Sequence, residues 1–77
     1  MDRQAEVQRL SLANRHIVNA ERNVTGQTFE LERLRRGGHD TAMAERTLEN
    51  FKGLLQALCN RRKLIIKTIE QIDRGLI

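Results

Sequence analysis

The strongest constraint on this chain is the spacing of Ala44, Leu48, Phe51, Leu55, Leu58, Arg62, Ile65, Ile69, Ile72 and Leu76, whose steps alternate four and three residues without a slip. Only Arg62 interrupts the apolar set. Such a repeat keeps one side of a long helix turned toward a partner helix and predicts knobs-into-holes packing. It specifies an architecture and leaves the activity open.

A weaker stripe upstream supplies the partner. Val7, Leu10, Ala13, Ile17, Ala20, Val24, Leu31 and Leu34 recur with a similar period, and Asn14, Glu21 and Thr28 share the edge. Between the stripes lies Arg36-Gly37-Gly38-His39-Asp40-Thr41. Gly37 or Gly38 can take the left-handed conformation that ends a helix, and Arg35 and Arg36 suit its negative C-terminal end. Asp40 is then placed to cap the next helix, with Thr41 as the competing residue. The expected fold class is all-α, an antiparallel two-helix hairpin of coiled-coil type. One unit covers 1–77, with helix 1 over about 3–36, a turn over about 37–40 and helix 2 over about 41–75. Gly26 and the β-branched residues around it weaken helix propensity, but the stripe resumes at Leu31, so helix 1 is read as continuous.

Counting outward from the turn predicts the pairing. Leu34 should lie near Ala44, Leu31 near Leu48, Thr28 near Phe51 and Val24 near Leu55. Farther out, Ala20 or Glu21 should meet Leu58, Ile17 should meet Arg62, Asn14 Ile65, and Leu10 Ile69. Small residues opposite Phe51 and Leu58 give those side chains room. Arg62 is expected to lay its apolar stem along the seam and send its guanidinium to Glu21 or to solvent.

Each helix of roughly 32–35 residues would extend about 50 Å, so one hairpin is a rod with a thin seam. Chains this short commonly need a partner, a metal or a disulfide. Cys59 is the single cysteine, and no residues show the spacing of a four-ligand metal cluster, so neither metal nor cofactor is expected. Association is the natural solution. Leu12, Val18, Met43, Leu54, Ala57, Leu64 and Ile66 lie beyond the first seam, and Leu54, Leu58, Ile65, Ile66, Ile69 and Ile72 give helix 2 a broad apolar side. Two hairpins packed face to face would form an antiparallel four-helix bundle. A homodimer is therefore the expected assembly, with a complex with another protein, a higher oligomer and an isolated hairpin as the alternatives. The expected interface or seam residues are Leu10, Ile17, Val24, Leu31, Leu34, Leu48, Phe51, Leu54, Leu55, Leu58, Ile65, Ile66, Ile69 and Ile72.

No apolar stretch approaches the ~20 residues that cross a bilayer, and Met1-Asp2-Arg3-Gln4 lacks the features of a secretory signal. A cytoplasmic location is expected, and the lone thiol agrees with a reducing compartment. The formal net charge is +4. Arg33, Arg35 and Arg36 gather near the turn with His39 and Arg46, while Arg61, Arg62, Lys63 and Lys67 lie midway along helix 2. Arg33, Arg35, Arg36, Arg61, Lys63 and Lys67 are the candidate phosphate contacts, duplicated in a dimer. Interleaved acids, Glu30, Glu32, Asp40, Glu45, Glu49, Glu70 and Asp73, favour the alternative of a mixed solvated surface. A nucleic-acid-binding regulator is accordingly the second reading, and adsorption of the C-terminal half to an anionic membrane surface a third.

Chemistry-bearing motifs are sparse. His39 belongs to the turn, His16 flanks seam residue Ile17, and the two are too far apart along a hairpin to share a site. Cys59 adjoins Leu58 and is read as a half-buried structural cysteine, with redox sensing as the alternative because cations follow it. No phosphate-binding loop, dinucleotide fingerprint, serine elbow or carboxylate pair is present. The chain reads as a non-enzymatic structural or protein-interaction module.

Two resemblances add to this. In architecture alone, a dimeric helical hairpin resembles the plasmid copy-control protein Rop, which binds paired RNA hairpins; no residue roles transfer from fold likeness. In sequence, Glu32 to Leu48, with Gly38-His39-Asp40-Thr41 at the turn and Ala44-Glu45 after it, resembles a group of small uncharacterised helical-hairpin proteins of alphaproteobacteria with a GHDT turn. Arg15-His16-Ile17 through Glu21 matches their upstream segment, and the likeness covers most of residues 10–70. It implies a helical hairpin and carries no catalytic or binding residues. This chain places Gly37 where a bulkier residue often precedes a single glycine, which is expected to loosen the turn.

Overall fold

The computed structural model describes residues 2–77. Two helices, α1 (Arg3–Arg36) and α2 (Ala42–Asp73), fold back on each other as a hairpin 58 × 15 × 13 Å in extent. The length is the 1.5 Å rise per residue acting over more than thirty residues. Asp2 opens α1, its carboxylate accepting from the Gln4 amide at 3.0 Å. The weak stretch at Gly26 leaves α1 unbroken; Thr28 returns its hydroxyl to the Val24 carbonyl at 2.7 Å, which satisfies it inside the helix.

The turn is closed rather than loosened by its two glycines. Gly37 stays in the right-handed region as the last cap, and Gly38 takes φ 72°. His39 then donates its amide to Leu34 and Gly38 donates to Arg35, the paired bonds of a Schellman ending. A side chain on Gly37 would meet the His39 ring at 2.7 Å, so the second glycine makes room for that imidazole. Asp40 rather than Thr41 supplies the side-chain cap of α2, its carboxylate accepting from the Ala42 amide at 3.0 Å. Thr41 contributes its carbonyl, which receives the first helical bond from Glu45.

Alternating steps of four and three run the length of both helices. Thr41 at the start of α2 and Ala44, Leu48, Phe51, Leu55, Leu58, Arg62, Ile65, Ile69 and Ile72 within it are all buried or half-buried. Helix α2 stops at Asp73, because Gly75 repeats the Schellman ending at φ 72°; Leu76 lies past it and is exposed. In α1 the same steps pick out Glu6, Leu10, Ala13, Ile17, Ala20, Val24, Gln27, Leu31 and Leu34, all buried or half-buried, with Ala5 and Glu30 half-buried beside them.

Two of those α1 positions correct the sequence reading. Val7 and Thr28 are exposed, and Glu6 and Gln27 occupy the seam. Phase outweighs polarity here: stepping back four from Leu10 gives Glu6, and forward three from Val24 gives Gln27. Both polar side chains are satisfied. Glu6, 6% exposed, holds Arg9 at 2.7 Å, and the Gln27 amide donates to the Ala44 carbonyl at 3.3 Å. Leu31, Ala44 and Leu48, flanked by Val24 and Leu34, form the cluster nearest the turn, as the outward count requires. Arg62 spans the seam but reaches Asn14, at 3.4 Å, instead of Glu21.

Candidate interaction surface

Heptad phase divides the outside of the hairpin into two flanks. One flank is closed by polar bridges. Arg35 pairs with Glu45 at 3.1 Å beside the turn, Arg62 reaches Asn14 midway, and Arg3 binds Asp73 at 2.7 Å at the far end. The α2 positions along it include Glu45, Glu49, Lys52, Lys63, Glu70 and Asp73, all exposed. The Arg3 guanidinium is held above its ordinary pKa first by its hydrogen bond to Asp73 and then by that carboxylate's charge.

The other flank is open. Its α2 stripe is Met43, Thr47, Asn50, Leu54, Ala57, Arg61, Leu64, Thr68 and Gln71, again in steps of four and three, with Arg61 its single charge. Leu54 is 52% exposed, Leu64 67% and Leu12 of α1 50%. Between the helices on this side lies a groove of about 480 Å³ lined by Arg9, Leu12, His16, Arg61, Leu64 and Thr68, with Glu6, Ala13, Leu58 and Ile65 at its floor. The neighbours Leu64 and Ile65 define its geometry: one side chain stands in solvent, the next is buried in the seam.

The expected interface residues thus separate into two sets. Ile17, Leu31, Leu48 and Ile65 are buried between the two helices, and Leu10, Val24, Leu34, Phe51, Leu55, Leu58, Ile69 and Ile72 are half-buried there. Leu54 and Ile66 are exposed and contribute little to the seam, Leu54 on the open flank and Ile66 on the bridged one. Leu12 and Leu64, read from the sequence only as apolar residues beyond the first seam, fall on this open flank, Leu12 between Arg9 and His16 and Leu64 between Arg61 and Thr68.

The candidate phosphate contacts do not converge. Arg33 binds Glu30 at 2.6 Å, Arg35 binds Glu45, and Arg36 lies 3.6 Å from Glu32. Among the described residues no carboxylate lies within 4.0 Å of Arg61, Lys63 or Lys67. A two-residue step on an α-helix turns about 200°, however, so Arg61 and Lys63 point to opposite flanks. His16 lines the open groove, His39 covers Gly37 and Cys59 is half-buried. Among the described residues no three histidine, cysteine or acidic side chains gather as a metal set, and no helix is long and apolar enough to cross a membrane. No protein-family model, curated protein or solved structure matches this chain.

Proposed function

We propose that this hairpin is a small non-enzymatic protein-interaction module that associates with a second copy into a four-helix bundle, acting as an adaptor or regulator in a reducing cytoplasm. The observation that carries the reading is the inequality of the flanks. A monomer in water gains nothing from aligning Leu12, Leu54, Ala57 and Leu64 on its least charged side, whereas an associating helix pair does. The thin seam points the same way: among the described residues no large side chain is completely enclosed. A second layer of helices would supply the burial that a single seam lacks. The open groove, a trough between two parallel rods of side chains, offers no enclosed site in which a reacting group would be shielded from water.

Sedimentation across a concentration series tests this reading with two variants one helical face apart. Leu64→Glu should raise the dimer dissociation constant about thirtyfold or more, the effect of losing a 2 kcal/mol contact. Ile66→Glu, on the bridged flank, should leave it within about twofold. Equal effects of the two substitutions, or a wild-type mass that stays monomeric, would overturn the proposal.

A further inference from the structure

We propose that the open flank seats the second copy with the two turns at opposite ends of the bundle, so that each helix lies antiparallel across its own counterpart. This inference rests on the association proposed above and adds its face and direction.

Charge distribution on the flank is the first argument. His16, Arg61 and the Arg9–Glu6 pair lie in the half away from the turn, leaving Arg61 as its unpaired charge among the described residues, and the turn half carries only the Glu30–Arg33 pair. Turns at the same end would stack both copies' arginines in one place. Turns at opposite ends bring the basic half of each copy over the turn half of the other, and like charges are separated along the rod.

Register is the second argument. Helix α1 runs from Arg3 to Arg36 and α2 from Ala42 to Asp73. Reversal about the midpoint of α1 carries Arg9 onto Glu30 and His16 onto Asn23; reversal about the midpoint of α2 carries Thr68 onto Thr47 and Arg61 onto Leu54. These four pairs stay within the open flank, whereas Leu12, Met43, Ala57 and Leu64 come over the seam levels of Gln27, Ile72, Leu58 and Phe51, so the stripe returns onto itself at every other position. Arg9 then faces Glu30, and the large Leu12 comes over the level of Gln27, one residue from Gly26. An added side chain at Gly26 would meet nothing within 4 Å in the hairpin, so that point is a shallow hollow. Large residues over small ones are what interdigitating layers require.

Area is the third. The flat side of a rod 58 Å long and 15 Å wide is of the order of the ~800 Å² that each partner buries in a standard interface. One more copy of the same length covers it.

The test is a distance measured together with a mass. In a Cys59→Ser background, a spin label at Arg36→Cys sits beside the turn, outside both seams. Opposite-ended packing should give a label-to-label distance approaching the 58 Å length of the rod. Same-ended packing should give roughly 20 Å, about two interaxial spacings. A dimeric mass with the long distance supports the inference. A dimeric mass with the short distance overturns the direction and leaves the association standing. A monomeric mass at all concentrations removes both, and assigns the open flank to an occupant other than a second copy.

Discussion

The two flanks of this hairpin are made from the same two helices and differ in how the helices are joined across them. On the closed flank, Arg35–Glu45, Arg62–Asn14 and Arg3–Asp73 bridge α1 and α2 at three levels. On the open flank the ion pairs stay within one helix, Arg9 with Glu6 and Arg33 with Glu30, and leucines stand between them. Exposed ion pairs add little to stability, so the bridged flank does not hold the hairpin together. Its charges keep that side in water and leave the other as the side with something to gain from burial. In a rod this thin, placing charge on one flank distinguishes the two faces more than it strengthens the fold.

The sharpest way to break the comparison is to remove what both flanks share. Ile17, 3% exposed, and Ile65, at the floor of the groove, lie in the seam. Truncating either to Ala should cost about 2–5 kcal/mol through lost transfer energy and an unfilled cavity. Chemical denaturation of Ile17→Ala and of Leu12→Ala, measured across a protein-concentration series, separates seam from flank. Ile17→Ala should lower the midpoint at every concentration, and Leu12→Ala should lower it most where association is strongest. Identical concentration dependence in the two variants would mean that seam and flank are one cooperative unit.

The next effect comes from the turn, which fixes the register that sorts residues onto flanks. Gly38 has φ 72°, where a side chain costs roughly 1–2 kcal/mol. Gly38→Ala should destabilise by that amount although its added methyl meets nothing nearby. Gly37→Ala has the reverse character: an allowed backbone and a displaced His39 ring, a smaller cost because the ring is the free end of a side chain. Thermal melts of the pair rank them. A larger loss at Gly37 would show that the imidazole, and not the left-handed backbone, secures the turn.

The hairpin itself was legible in the sequence because it depends on period and punctuation. Alternating steps of four and three in α2, two glycines and Asp40 together fix two helices and their antiparallel pairing. The errors have one physical origin. The sequence reading puts Val7 in the stripe and Thr28 on its edge and leaves out Glu6 and Gln27, yet backbone phase places every seventh residue in the seam whatever its side chain. Glu6 is tolerated because Arg9 lies one turn away, and Gln27 because its amide reaches across to Ala44. Arg62 reaches Asn14 rather than Glu21; both lie one turn from the Ile17 level, and the heptad spacing does not choose between them. The flanks were visible only as a surplus of leucines. Sorting Leu12, Leu54 and Leu64 onto one side, and the cross-helix pairs onto the other, requires the relative rotation of the helices, which spacing within one helix does not contain.

The smallest expected effect reads the open flank directly. The Arg33 guanidinium, hydrogen-bonded to Glu30 and close enough for its charge to act, holds the Glu30 carboxyl below the ordinary value of 4.5, and Arg33 is raised in return. Because the folded value is depressed, the pair favours the folded chain above the unfolded carboxyl's pKa, and that contribution fades as pH falls through the lowered folded value. Both groups are exposed and salt screens them, so a chemical-shift titration of the Glu30 carboxyl is a better readout than stability. Arg33→Ala should return its midpoint toward 4.5; an unmoved midpoint would remove Arg33 as the cause. In the opposite-ended pair, Arg9 of the second copy comes over Glu30 as well. The wild-type midpoint should then fall further as protein concentration rises, and Arg33→Ala should keep that dependence. A midpoint that stays fixed over a concentration range in which the sedimenting mass passes from monomer to dimer would leave Glu30 outside the interface and overturn the direction assigned to the bundle.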